Sequence, residues 1–393
     1  MFSPRSGRET WPQSMQNDVV VHFITWNMNG ALPLQRMIDG LFASINSSIN
    51  VVVFATQESV NSIERSILFR SKDQWIRVLT TALGDGWTLV AQHGMQALHI
   101  AVYVRDELDG RVTCVQPVHI PTGPAGLATK GCVAVGLCIS GTPFMFMGSH
   151  FTAFQEQVAA RNADYTRTYN ELPVTRCPHQ IVSTRRTLRG INPLSPNQGR
   201  RSSILATISP LHYQYQEQET PLSRFDNIIW GGDFNYRCNV DRDEADALIA
   251  HRDLKGLLDT DQLAAARFDD GVFEGFVEPK IAFLPTYKFD SGSNIYDTSS
   301  KRRIPSFCDR VLFRSRAKYR PVVEAYTSHP NILWSDHRPV SLTLRLSLTP
   351  EASEPAVASP RAVRRTPKSA WGEPEGIVVS REIQRRSTVC CAM

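Results

Sequence analysis

Six short polar clusters in this 393-residue chain carry residue types suited to hydrolysis. They are Thr25-Trp26-Asn27-Met28-Asn29-Gly30, Gln57-Glu58, Ser149-His150, Gly232-Asp233-Phe234-Asn235-Tyr236-Arg237, Cys308-Asp309-Arg310 and Ser335-Asp336-His337. Each alone says little, because an isolated strand-end Asn is more often a turn former and a single His150 is more often structural. Together they supply complementary parts. Glu58, supplemented by amide oxygens, suits a hard ion such as Mg²⁺, which prefers oxygen ligands and keeps several waters. Asp233 is a second carboxylate, able to orient and deprotonate a water. Two histidines and two asparagines provide donors for a phosphoryl group. No Cys or His cluster favours zinc. The chemistry implied is metal-assisted phosphoester hydrolysis.

These clusters need elements that bring them together. Each early cluster follows an apolar run of strand length: Val19 to Ile24, Val51 to Phe54, Phe144 to Met147 and Ile228 to Trp230. Further runs lie at Ile100 to Val104, Val133 to Ile139, Val311 to Phe313 and Val340 to Leu346. They are rich in Val, Ile and Phe and bounded by turn formers, as strands are. Helix-like stretches are Gln74 to Leu83, Glu156 to Leu172 and Asp241 to His251. Several strands follow one another without a helix, which argues against a wholly parallel sheet. Two sheets packed face to face with helices outside satisfy this order.

Composition narrows the class. Hydrophobic residues are 42% and charged residues 21%, so wholesale disorder is excluded. A net charge of +5 is too small an excess to imply nucleic acid. No apolar stretch reaches the roughly 18 residues of a bilayer span, and Met1 to Met15 is too polar for a signal peptide. A reducing compartment is therefore expected. None of the eight cysteines forms a CxxC, and Cys114, Cys132 and Cys138 read as small buried hydrophobes. Leu172 to Gln216 holds six Arg, five Pro and no acid, and reads as a basic insertion. The expected organisation is a flexible N-terminus over 1–17, one catalytic domain over 18–348 with that insertion, and a disordered tail over 349–393.

The motifs are also those of a known family. TWNMNG at 25–30, Gln57-Glu58, SHFTA at 149–153, WGGDFNYR at 230–237, PTYKF at 285–289, PSFCDRVL at 305–312 and SDHRPV at 335–340 resemble the inositol polyphosphate 5-phosphatases, in the family's order. That resemblance implies a DNase I-like, four-layer α/β sandwich of two packed mixed sheets. It makes Glu58 the main Mg²⁺ ligand with Asn27 beside it, Asp233 the residue activating water and Asn235 its partner at the scissile phosphate. His150 and His337 contact that phosphate, Asp309 orients His337, and Asp336 is the acidic neighbour near the metal. Tyr287, Lys288, Lys301 and Arg303 are implied to clamp the substrate's 4-phosphate, and Lys130 to lie near the lipid's 1-phosphate. Phe307 and Gly231 depart from the family's usual Trp and aromatic residue.

The resemblance implies removal of the 5-phosphate of phosphoinositides such as the 4,5-bisphosphate and 3,4,5-trisphosphate. The alternatives are a nuclease-type phosphodiesterase of the same superfamily and a catalytically dead membrane scaffold. Expected partners are the lipid substrate, an anionic membrane surface and a prenyltransferase, with no nucleic acid and a monomeric state. SHFTA followed by Asp164 to Thr168 is similar to the prenylated type IV subfamily of cilia and Golgi. Cys390-Cys391-Ala392-Met393 forms a C-a-a-X box whose Met favours farnesyl on Cys390. The expected location is the cytosolic face of a membrane.

Overall fold

The Val- and Ile-rich runs form strands because branched side chains suit a buried pleat. The structure, a computed structural model, describes residues 18–30, 32–33, 38–59, 72–123, 126, 128–175 and 220–348. The expected N-terminal segment, most of the basic insertion and the tail with Cys390 lie outside those residues. Among the described residues there are eleven strands: β1 (Asp18–Asn27), β2 (Val51–Gln57), β3 (Trp87–Met95), β4 (Leu98–Arg105), β5 (Val112–Pro121), β6 (Gly131–Ile139), β7 (Thr142–His150), β8 (Asn227–Asp233), β9 (Asp309–Ser315), β10 (Val322–Ser328) and β11 (Val340–Ser347). One sheet runs β10-β11-β1-β2-β4-β3 and the other β5-β6-β7-β8-β9.

Each sheet contains one parallel pair, β1 with β2 and β7 with β8, flanked by antiparallel neighbours. Both sheets are therefore mixed, as expected. Val19, Val21 and Phe23 of β1 pack between the sheets with Val133, Val135 and Phe146. Val20, Ile24 and Trp26 face outward onto Trp75 and Leu79 of the helix Asp73–Leu83. On the far side, Trp230 and Phe234 pack with Tyr165 of the helix Val158–Glu171. Helix, sheet, sheet, helix gives the four layers. Fully burying one such large apolar side chain is worth about 1.5–3 kcal/mol.

Gly231 shows how close the sheets come. A Cβ there would lie 2.5 Å from the Phe23 ring of the opposite sheet and 3.0 Å from Val311. Phe23 and Val311 occupy the space that a side chain at Gly231 would need. Phe307 is fully buried in the same inter-sheet core. Cys132 and Cys138 are buried free thiols as expected, whereas Cys114 is half-buried and disulfide-bonded.

Register explains where the polar clusters meet. Asn27 pairs with Gln57 at the ends of β1 and β2, and His150 pairs with Asp233 at the ends of β7 and β8. Asp309 opens β9 opposite Asp233, and Gly131 opens β6 opposite His150. Parallel strands finish, and their antiparallel neighbours begin, at one end of the sandwich.

Candidate active site

Just beyond the strand ends the backbone turns sharply. Asn29, Glu58 and Asn235 adopt left-handed φ values of 50°, 49° and 58°. Non-glycine residues visit that region at a cost and cluster at functional positions. At Glu58 the turn is pinned on both sides: Gly30 N donates to Glu58 O at 2.8 Å, and Ser59 N donates to Ala97 O at 3.1 Å. Lys72 Nζ adds a bond to Ser59 O at 2.5 Å. Glu58 thereby leaves the pleat and lines a cleft of about 140 Å³ with Asn27, Lys130, His150, Asp233, Asn235, Arg237, Tyr287, Asp336 and His337.

Asp233 is the hub. Its Oδ2 accepts from Asn27 Nδ2 at 3.0 Å and lies 3.3 Å from His150 Nε2 and 3.9 Å from His337 Nε2. Its Oδ1 accepts from Asn235 N at 3.0 Å. Glu58 Oε1 is 4.0 Å from the same His150 nitrogen and 3.5 Å from Asn27 Nδ2. Burial alone would raise the Asp233 pKa, but the His337 and His150 charges, with Lys130, hold it well below the usual carboxylate range. Asp233 is therefore an anion at neutral pH.

His337 is held on its other side, where Nδ1 lies 2.9 Å from Asp309 Oδ2. Thr286 Oγ1 donates to that same carboxylate oxygen at 2.7 Å. Burial works against the imidazolium, yet Asp309 and then Asp233 outweigh it and push the pKa up to about 9. Burial pushes Asp309 upward, with His337 opposing. Asp233, Asp309 and His337 offer ligand atoms within 4.8 Å of one another, but the direct His337–Asp309 contact makes this a hydrogen-bonded relay.

Of the two expected metal ligands, Glu58 presents its carboxylate to the cleft. Asn27 directs its amide nitrogen at both carboxylates, because its Oδ1 accepts from Asn29 N at 3.0 Å. Asn27 thus does not turn its amide oxygen to the cleft, and the two carboxylates of Glu58 and Asp233 are the oxygen donors fit for a hard divalent cation.

Lys130 lines the same cleft. It directly precedes Gly131, the register partner of His150, so its ammonium reaches inward to 2.5 Å from His150 Nε2. Burial lowers its pKa to about 8, against the pull of Asp233 and Glu58. Asp336 Oδ2 accepts from Lys288 Nζ at 2.7 Å. Although burial opposes both charges, this pair, with His337 at Asp336, lowers the Asp336 pKa and raises that of Lys288. The Tyr287 ring lies 4.5 Å from that of His337. Lys301 is exposed, and Arg303 is half-buried with its N–H bonded to Asp297 Oδ2 at 2.8 Å. Neither lines the cleft itself. The residue that sequence reasoning left without a role is Arg237, which closes the GDFNYR motif and reaches the cleft through Asn235.

With this geometry in view, comparison with known proteins is informative. The model of the endonuclease/exonuclease/phosphatase family 2 matches residues 24–343. The chain belongs to that family. Its matched span includes every cleft residue named above. The chain is 32% identical over 339 residues to phosphatidylinositol polyphosphate 5-phosphatase type IV of Homo sapiens and of Pan troglodytes, covering 85% of this chain and 47% of each relative. It is 28% identical over 384 residues to phosphatidylinositol 3,4,5-trisphosphate 5-phosphatase 2 of Sus scrofa, covering 92% of this chain and 26% of the relative. The chain thus spans less than half the length of these relatives.

Solved structures share the family fold. The inositol polyphosphate 5-phosphatase domain of SPsynaptojanin, in complex with inositol (1,4)-bisphosphate and calcium ion, matches with a TM-score of 0.65 at 24% identity, over 84% of both chains. A Cimex nitrophorin in its ferrous NO complex matches with a TM-score of 0.60 at 21% identity, over 84% of this chain and 99% of that one. A nitrophorin on the same scaffold shows that the fold does not fix the activity. The site residues must carry that argument.

Proposed function

We propose that the chain is a phosphoesterase that removes the 5-phosphate of phosphoinositides such as phosphatidylinositol 4,5-bisphosphate and phosphatidylinositol 3,4,5-trisphosphate. The observation that carries this is the convergence of anionic Asp233, Asn27, Asn235, His150 and an Asp309-held His337 on one cleft edge. The names of the relatives, all inositol-lipid 5-phosphatases, support the substrate class.

Asp233 has the position to orient the attacking water. Its low proton affinity makes it a fixed negative guide, with Asn27 and Asn235 restricting its rotation. His337, cationic through Asp309, faces the negative charge that grows on phosphate oxygens in the transition state. Glu58 is the carboxylate that would hold Mg²⁺, with Asp233 close by. Bound there, the ion would supply Lewis-acid polarisation of the phosphate.

Phosphate release from dioctanoyl phosphatidylinositol 4,5-bisphosphate with Mg²⁺, set against EDTA, tests the proposal. Metal-dependent release of one phosphate is expected. No release would overturn the proposal, and cleavage of duplex DNA instead would move the site to the nuclease reading. A lipid substrate also places the enzyme at a membrane surface. Attachment through a prenyl group on Cys390 is tested by Cys390→Ser, which should leave membranes while retaining turnover of the short-chain lipid.

A further inference from the structure

Glu58 brings its carboxylate to the cleft on a turn that has to be held. Its φ of 49° is left-handed, and a non-glycine residue stays there only where its surroundings over-determine it. Three of the bonds that do so are neutral. Gly30 N donates to Glu58 O at 2.8 Å, and Ser59 donates to Ala97 O through its N–H at 3.1 Å and its hydroxyl at 3.3 Å. The fourth carries a charge: Lys72 Nζ donates to Ser59 O at 2.5 Å. Such charge-assisted bonds are about twice as strong as neutral ones.

Lys72 is an unusual cation. It is 6% exposed, and among the described residues no carboxylate answers its charge: burial alone acts on its pKa, lowering it to about 8. It is therefore still an ammonium at neutral pH. Burial first, then Lys72 and His93, lowers the pKa of nearby His99 to about 3, so that ring is neutral and is no counterion. A buried, unpaired ammonium costs free energy. Its position is also fixed. Lys72 is the N-cap of the helix Asp73–Leu83, with its O accepting from Ile76 N at 3.0 Å, and Trp75 and Leu79 seat that helix on the sheet. The start of a helix is the wrong end of the macrodipole for a cation. The Lys72 stem runs past β3, its Cγ 4.0 Å from the point a Cβ on Gly94 would occupy.

We infer that Lys72 is a positioning residue for the metal site: its ammonium holds the Ser59 carbonyl and thereby fixes the turn that presents Glu58 to the cleft. The inference rests on the phosphoesterase reading for the choice of Glu58 as the metal carboxylate. Lys72 does not line the cleft; it lines a second cavity of about 510 Å³. It acts through one residue, Ser59, which is gripped at its N–H, its hydroxyl and its carbonyl. The helix that packs on the sheet is in this way tied to the end of β2.

The test is a titration of the full chain with Mn²⁺, a cation that takes the same oxygen donors, followed through the electron paramagnetic resonance of the free ion. Melting temperature is the folding control. Lys72→Met keeps the stem and removes the charge; it should weaken Mn²⁺ binding roughly tenfold or more, as expected for one bond to a charged group. Lys72→Gln serves as a second neutral variant with the same expectation. Lys72→Arg keeps a charged donor and should bind within about threefold of wild type. In the Glu58→Gln background, Lys72→Met should cost no further affinity. Mn²⁺ affinity within about twofold of wild type in a folded neutral variant would overturn the inference. So would a further tenfold loss in the double variant, because the lysine would then act by a route other than Glu58, and so would a wild type that takes up no Mn²⁺. Ion binding needs no lipid. A chain that binds Mn²⁺ through Lys72 yet releases no phosphate would overturn the phosphoesterase reading and leave the positioning role standing.

Discussion

Asp309 and His337 are 28 residues apart, yet Asp309 Oδ2 lies 2.9 Å from His337 Nδ1 and also accepts from Thr286 Oγ1. Asp309 opens β9, so its backbone is fixed by the ladder to β8, opposite Asp233. Ser335 Oγ, itself donating to Asn27 O at 2.7 Å, receives His337 N at 3.1 Å. The imidazole is therefore fixed in orientation by contacts anchored on β9 and β1, and in charge by Asp309.

Replacing Asp309 by Asn keeps the shape and removes the anion. Burial then acts on His337 with less opposition, and its pKa should fall from about 9 toward the neutral range or below. Because a positioned acid or base typically contributes about 10²–10⁴-fold, kcat at pH 7.5 should drop by that order. A histidine NMR titration reads the pKa directly. Turnover within threefold of wild type would remove His337 from the charged role given to it.

Among the described residues, Glu58 and Asp233 are the cleft carboxylates with no Lys or Arg in ion-pair contact, and Glu58 Oε1 lies 4.0 Å from His150 Nε2. Glu58→Gln and Asp233→Asn should each lower turnover by roughly 10²-fold or more without unfolding, given the size of metal and acid–base effects. The two should differ in metal response: Glu58→Gln raises the Mg²⁺ concentration for half-maximal activity, and Asp233→Asn lowers kcat. More than a tenth of wild-type turnover at saturating Mg²⁺ in either variant counts against that residue's assignment.

Substrate choice should depend on Lys288. Its ammonium is fixed 2.7 Å from Asp336, and Tyr287 beside it packs on the His337 ring. Arg303 stands close enough for its charge to act on Tyr287. Lys288→Ala and Arg303→Ala should hurt substrates bearing a 4-phosphate more than phosphatidylinositol 3,5-bisphosphate. The difference should be at least tenfold in kcat/KM, since a hydrogen bond to a charged group is worth about 1.5–3 kcal/mol. Equal losses on both lipids would assign these cations to general electrostatics.

The sequence revealed the central strands because they are buried on both faces and read as unbroken apolar runs. Three of the four edges were hidden, β9 being the exception through its run Val311 to Phe313. β3, β5 and β10 each close one side of a sheet, and all three escaped notice. In β5 half-buried and exposed residues alternate, but Val115 points outward, 40% exposed, while Gln116 points inward, so polarity masks the period of two. Pro117 and Pro121 fit an edge position, since proline cannot donate to a ladder. At the site, strand-end polar clusters located the cleft. The inward reach of Lys130, the amide orientation of Asn27 and the contact of buried Arg237 with Asn235 follow from register and left-handed turns, which residue type alone does not encode.

His22 gives the fold an acid limit independent of the cleft. It lies on β1, 1% exposed, with Nδ1 at 2.8 Å from Thr343 Oγ1 and Nε2 at 3.2 Å from Ser44 Oγ. Burial, with His329 as a lesser cause, lowers its pKa from 6.5 to about 4. Above pH 6.5 the ring is neutral in both folded and unfolded chains, and stability does not change through it. Between pH 6.5 and 4 the unfolded chain takes the proton and the folded one refuses it, so stability falls as pH falls. At about 1.4 kcal/mol per pKa unit the loss is on the order of 3 kcal/mol by pH 4. Urea unfolding at pH 7.5, 5.5 and 4.5 should show a steeper loss in the wild type than in His22→Gln, which keeps a polar group and cannot charge. Parallel curves for the two proteins would mean that His22 is protonated in the folded state and that acid unfolding begins elsewhere.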